Sequence, residues 1–244
     1  AASVTGAAFA DSVEPANADF RVVAQANVNV NGIANAADAG ANGTDNTTTD
    51  FVRDNGTGSG VNFSNITGSS DVNKLPVAHS LGSTADNDLS VSLAFETDNA
   101  TTLPAVLEID NTGDTAVNGV GITFTDDNGD SGFGDDVTTG SSTSTDDIYP
   151  SDVINAIQFE VDGSQISTDT VDDADPIQAN QSVDGTVNIP AGQSKLVDIR
   201  IQDNPDFDTS VSNAASGGTP FSSGSVENLS LINAISVGND ADVS

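Results

Sequence analysis

The chain has 244 residues, 37 Asp and Glu against 5 Lys and Arg, and a formal net charge of -32. The scarcity of Lys and Arg excludes phosphate neutralisation and thus nucleic-acid binding, and the absence of cysteine excludes disulfides and thiolate metal sites. So many like charges oppose folding in dilute buffer, whereas at about 1 M salt the Debye length falls to about 3 Å, so the charge predicts a halophilic protein.

The N-terminal segment, residues 1–13, is rich in small residues and uncharged up to Asp11. Its Ala-Ala-Ser start is typical of residues flanking a signal-peptidase site, so we expect a secreted, extracellular chain whose signal peptide has been removed. We predict that the segment runs extended over Ser3, Val4, Thr5, Gly6, Ala7, Ala8 and Phe9. Pairing with its own domain would make it an ordinary first strand, and pairing with a neighbour would complete that neighbour's sheet. The sequence leaves both open.

Apolar residues then recur with a period of two, which is typical of half-buried strands. The alternating runs are 20–30, 89–95, 120–124, 153–161 and 183–189, with shorter ones at 105–109, 196–201 and 229–237. Turn signals such as Asp162-Gly163 and Pro190-Ala-Gly separate them. No long window has helical spacing. The pattern predicts an all-β protein with residues 14–244 forming a single β-sandwich, a jelly roll or Greek key, without a membrane span.

Three stretches break the alternation: an insertion at about 31–73, and irregular segments at 126–151 and 203–225. Loops of this length serve contacts, coatings or ion sites. Eight Asn-x-Ser/Thr sequons are candidates for N-glycosylation, and five lie in the insertion. They are Asn42, Asn46, Asn55, Asn62, Asn65, Asn99, Asn180 and Asn228.

Calcium is the only cofactor that the sequence suggests. Asp126, Asn128, Asp130 and Asp135 surround a glycine turn and supply the hard oxygen ligands that Ca²⁺ prefers. The run has no bidentate Glu at the twelfth position, and in so acidic a chain the pattern favours a solvated acidic loop over a calcium site. A weaker second cluster begins at Asp169.

No catalytic residue is predicted. The single histidine, His79, has no partner motif and fits a strand position, and the common catalytic signatures do not occur. We therefore expect a protein that is not an enzyme.

Four segments resemble the TasA-like secreted jelly-roll proteins and the related haloarchaeal bundling-pilus proteins. They are Gly-Ala-Ala-Phe-Ala at 6–10, Phe-Arg-Val-Val at 20–23, Leu-Glu-Ile-Asp-Asn-Thr-Gly-Asp-Thr-Ala-Val at 107–117 and Ile-Pro-Ala-Gly-Gln-Ser-Lys-Leu-Val-Asp-Ile-Arg-Ile at 189–201. The resemblance implies a subunit of an extracellular filament in a halophilic archaeon, polymerising head to tail with copies of itself as residues 3–9 insert into the next subunit. The long insertion departs from compact members. The alternative is a monomeric cell-surface, S-layer-associated or virion surface domain that binds other surface glycoproteins.

Overall fold

The structure is a computed structural model. It describes residues 3–9, 19–24, 27–33, 51–54, 61–62, 77–85, 89–95, 100–125, 131–139, 147–171, 182–183, 185–216 and 226–239. Across these residues the chain is all-β apart from two helices, as the sequence predicts. No helix within these ranges is long and apolar enough to cross a membrane.

The first ten strands and the first helix cover the chain up to Val161. They are β1 (Ser3–Phe9), β2 (Asp19–Ala24), β3 (Val28–Gly32), β4 (Phe51–Asp54), β5 (Val61–Asn62), β6 (Val77–Leu81), β7 (Ser90–Ala94), β8 (Thr101–Asn111), β9 (Val117–Thr123), α1 (Pro150–Ala156) and β10 (Ile157–Val161). The remaining elements are β11 (Ser164–Gln165), β12 (Thr168–Thr170), β13 (Ser182–Val183), β14 (Val187–Ile189), β15 (Ser194–Ile201), α2 (Pro205–Ser216), β16 (Val226–Ile232) and β17 (Ala234–Asn239).

Two sheets form the sandwich. The larger has the order β14-β9-β17-β2-β1-β7-β6-β4-β5, with β16 also paired to β1, and the smaller has the order β11-β10-β15-β8-β3. Most pairs are antiparallel, while β1–β7 and β2–β17 are parallel. A short ladder of β12 and β13 stands apart.

The core lies between the sheets and follows the predicted alternation. Val91, Leu93 and Phe95 of the β7 region are 0 to 1% exposed, and Val120, Ile122 and Phe124 are fully buried. Side chains at alternate positions of a strand face one side, so each run lines the core. These two strand predictions are confirmed.

Two runs that we predicted as continuous strands are interrupted and divided between sheets. Asn27 has a φ of +69° and ends the run 20–30, so β2 joins the larger sheet and β3 the smaller one. The left-handed region suits Asn better than most residues, which makes it a natural corner. The run 183–189 likewise divides into β13 and β14, which lie in different ladders.

The predicted strand at 153–161 is wrong in its first half, and the segment 203–225 is not wholly irregular. Helix α1 begins with Pro150 after Tyr149, and the Asp152 carboxylate accepts the Tyr149 backbone N–H at 2.9 Å. Helix α2 begins after Asn204, whose Oδ1 accepts the N–H of Asp206 at 3.0 Å and of Phe207 at 3.1 Å. Helix α2 thus has the N-cap acceptor that favours a helix start, α1 has the reciprocal bond from its third residue, and both helices begin with proline.

The outer edges of β3 and β10 in the smaller sheet are both paired with other segments of the chain. At β3, Gly32 N–H donates to Gly82 O at 2.8 Å, Thr84 N–H to Val30 O at 2.9 Å, and Val30 N–H to Thr84 Oγ1 at 2.8 Å. At β10, Phe159 O accepts the Ile166 N–H at 2.8 Å and Phe159 N–H donates to Ser167 Oγ at 3.1 Å. Covered edges cannot template pairing with another chain.

The two late segments that carry the family resemblance lie side by side in the smaller sheet. Strand β8 pairs with β15 along most of its length, from Thr101↔Ile201 to Asp110↔Ser194. Asn111 is 2% exposed and its amide donates to Ile189 O at 2.9 Å and Thr115 O at 2.7 Å. The amide therefore fixes the end of β8 to the end of β14.

Candidate functional site: the slot that holds β1

Strand β1 has the bounds predicted for the extended N-terminal segment, Ser3–Phe9, and it is paired within its own chain. Along one edge it runs antiparallel to β16, from Val4↔Ile232 to Phe9↔Val226. Along the other edge it meets β2 at Ser3↔Phe20 and Val4↔Asp19, and β7 in parallel at Gly6↔Leu93 and Ala7↔Ala94. One short strand thus joins three others.

We define the β1 slot as the space between β7 and β16 that β1 fills. Its β7 wall is firmly built: β7 pairs with β6 over five residue pairs, from Val77↔Ala94 to Leu81↔Ser90, and Leu93 is fully buried. In β6, Ser80 is also buried, and its hydroxyl donates to Val106 O of the facing sheet at 2.5 Å. The β7 wall is therefore fixed to the rest of the sandwich without help from β1.

Strand β1, in its slot, also joins the two parts of the larger sheet. Strands β14, β9, β17 and β2 form one part, and β7, β6, β4 and β5 form the other. Among the residues described, the hydrogen-bonded path between these parts runs through β1. Removing β1 would leave unpaired backbone groups on β2, β7 and β16, which is costly when they are buried.

A segment within the stretch 126–151 that we predicted as irregular supports the far side of β16. Residues 131–137, which we call the strap, include an isolated bridge from Phe133 to Ile232. Gly134 N–H donates to Leu231 O at 3.0 Å. A Cβ at Gly134 would lie 2.0 Å from Ser230 O, so the strap requires glycine there. The Gly-Phe-Gly pattern at 132–134 was the signal for this close backbone approach.

The described residues do not form a set of calcium ligands. Asp126, Asn128 and Asp130 lie outside them, and Asp135 is exposed in a turn. The neighbouring Asp136 carboxylate accepts the Ser230 N–H at 2.6 Å, so it serves as a hydrogen-bond acceptor for β16. No group of three or more candidate ligands occurs in the described ranges. Asp169 has one buried oxygen without a hydrogen-bond partner, but the rest of its predicted cluster lies outside.

Two of the eight candidate glycosylation sites fall on described strands. Asn62 lies in β5, and Asn228 lies in β16 opposite Ala7. The others, Asn42, Asn46, Asn55, Asn65, Asn99 and Asn180, lie outside the described residues. His79 occupies β6 opposite Ser92.

A polar network on the outer face of the smaller sheet contains Asp110, whose pKa is shifted. Burial, and next the charge of Glu108, raise the pKa of Asp110 above its usual value of 3.8, while hydrogen bonds from Asn31 and Ser194 oppose the shift. Asn31 Nδ2 donates to Asp110 Oδ2 at 2.5 Å, and Ser194 Oγ donates to Glu108 Oε1 at 2.8 Å. These hydrogen bonds connect the neighbouring strands β3, β8 and β15 and so stabilise the smaller sheet.

No protein-family model, curated protein or solved structure matches the chain.

Proposed function

We propose that this protein is a secreted, non-enzymatic subunit of an extracellular filament of a halophilic archaeon, assembling as β1 of one copy fills the slot of the next. The observation that carries the proposal is the threefold pairing of β1 with β16, β2 and β7. Such pairing uses main-chain hydrogen bonds, which an identical strand of another copy would make equally well.

The composition of β1 suits a contact between copies. Its sequence, SVTGAAF, has no charge in a chain of net charge -32. Two acidic surfaces repel each other, so an uncharged strand is a favourable place for them to meet. Because slot and strand are different parts of the surface, the contact is heterologous and builds an open fibre.

The connection from β1 to the body is long enough for either arrangement. Phe9 and Asp19 are separated by nine residues, 10–18. Ten steps of extended chain reach about 33 to 36 Å. That exceeds the distance of about 17 Å between Phe9 and Val4, the residue opposite Asp19. The same connection therefore permits pairing within one copy or insertion into an adjacent copy.

A cross-linking experiment tests the exchange. Ala8 pairs with Glu227, and paired residues of antiparallel strands lie about 4.5 to 5.5 Å apart at Cα, which a disulfide bridges. The chain has no cysteine of its own, so A8C/E227C introduces the only thiols. We expect non-reducing gels of secreted material to show a ladder of covalent multimers.

The matched control is E108C/L196C, across a β8–β15 pair that joins two strands of one copy. It should give only monomer. Monomer alone from A8C/E227C would reject strand exchange, as would filaments that persist, in electron micrographs, after deletion of residues 1–11.

The pairing of β1 within its own chain favours a second candidate, a self-contained cell-surface or virion surface domain. Such a domain keeps β1 in its own slot at every concentration. Size-exclusion chromatography at about 3 M salt, where surface charges are screened, separates the two candidates. A stable monomer at high protein concentration supports the second and contradicts the first.

A further inference from the structure

Strand β16 is held differently along its two halves. The half Ser230–Ile232 is fixed by the strap: Asp136 N–H donates to Ser230 O at 3.1 Å, and its carboxylate accepts the Ser230 N–H at 2.6 Å. Leu231 and Ile232 are 1% and 0% exposed. This half therefore keeps hydrogen bonds and core contacts whether or not β1 is present.

The other half, Val226–Leu229, depends on β1. Its register pairs Leu229 with Gly6 and Val226 with Phe9, and among the described strands it has no other partner. A strand segment without a partner loses its hydrogen bonds while still paying the entropy of an extended backbone. The two walls of the slot thus differ, since β7 keeps β6 when β1 is absent.

We infer that Val226–Leu229 is a clamp, hinged at Ser230–Ile232, which orders only over a docked β1 and sets the rate at which β1 leaves. A strand enters by parallel pairing with β7, and the clamp then closes over its free edge. Release requires the clamp to open first. The exchange of β1 between copies rests on the proposed function, whereas the clamp operates on a β1 of either origin.

Hydrogen exchange of the full chain, followed by mass spectrometry at about 3 M salt to keep surface charges screened, tests the clamp. We expect amides of 226–229 to exchange at least about tenfold faster than those of Leu231 and Ile232, because only the latter half is anchored. Asp136→Asn weakens the hinge, so exchange at 226–229 and within β1 should rise by about threefold to tenfold. Protection of β8 and β15 should not change, which shows that the variant is folded.

Asp135→Asn is the matched control, because Asp135 is adjacent and equally exposed and the substitution removes the same charge, while the Ser230 N–H donates to Asp136. It should leave exchange at 226–229 unaltered. As a second hinge variant, Gly134→Ala should raise the rate further, since its Cβ would meet Ser230 O. Equal protection of the two halves of β16, or equal effects of D136N and D135N, would overturn the clamp.

The outcomes for clamp and filament are separable. Unequal protection of β16 together with a monomeric A8C/E227C product keeps the clamp and rejects strand exchange. A covalent ladder together with uniform protection of β16 rejects the clamp alone.

Discussion

Two glycines of this chain are required for different reasons, and substitution distinguishes them. Gly163 has a φ of +78° with nothing within 4 Å of a Cβ, whereas a Cβ at Gly132 would lie 2.2 Å from Ala234 O. We expect Gly163→Ala to lower the free energy of unfolding by about 1 kcal/mol, because alanine disfavours the left-handed backbone conformation. Gly132→Ala should cost about 3 kcal/mol or more, because backbone must move. Urea unfolding at fixed high salt measures both, and equal costs would contradict the close approach of the strap.

Asp110 predicts a specific pH dependence. Its raised pKa means that the folded state favours the protonated carboxyl, so its contribution to stability is present below the unfolded pKa and lost as pH rises through the folded one. Asp110→Asn should therefore raise the urea midpoint of unfolding at pH values above the folded-state pKa. It should also flatten the dependence of that midpoint on pH just above 3.8, the usual pKa of the carboxyl. Asp114→Asn, an exposed site with the same charge change, is the control. A larger gain from Asp114→Asn would contradict the assigned cause.

At the scale of elements, the side-chain amide of buried Asn111 donates one hydrogen bond to Ile189 O of β14 and one to Thr115 O in the turn after β8. Asn111→Asp keeps the shape but replaces the donating amide with a carboxylate facing both carbonyls. We expect the free energy of unfolding to fall by about 3 kcal/mol, since the two buried carbonyls lose their hydrogen-bond donor. Asn239→Asp, whose amide donates to Asn118 O at an exposed site, should cost less than about 1 kcal/mol. Similar costs in urea titrations would contradict the burial argument.

The connection between β1 and β2 makes a geometric prediction. Deleting residues 11–16 leaves four chain steps from Phe9 to Asp19, which reach about 14 Å. Pairing in the same copy needs about 17 Å, because Asp19 lies opposite Val4. We expect this variant to lose the monomeric self-paired form and, in the A8C/E227C background, to give only intermolecular cross-links. Persistent intramolecular cross-linking would show that the register of β1 and β2 is wrong.

The sequence predicts elements well where a single physical signal dominates. Alternation identified β7, β8, β9 and β15, because each lines one core face, and Asp162-Gly163 identified the turn between β10 and β11. It failed at α2, where only Phe207 and Val211 are described as buried. Two apolar positions are too few to give a helical period. The three-partner position of β1 and the role of β16 depend on pairing between distant strands, which local patterns do not encode.

For the whole molecule, charge predicts the response to salt. With a net charge of -32, unfolding free energy should rise steeply with KCl and level off near about 1 M, where the Debye length is about 3 Å. Urea midpoints over a KCl series measure this, with sucrose at matched osmolality as the uncharged control. An equal effect of sucrose would mean that solute exclusion, rather than screening, stabilises the fold.

The covered edges of the smaller sheet also limit how copies can connect. Residues 82–84 pair with the outer edge of β3 and residues 164–167 with that of β10, so a foreign strand cannot pair directly with β3 or β10 there. Under the proposed exchange, each copy has one strand to give and one slot to fill. Growth is linear, unbranched and polar, with an empty slot at one tip and an unused β1 at the other. Free β1 peptide would therefore terminate the fibre at the slot end alone.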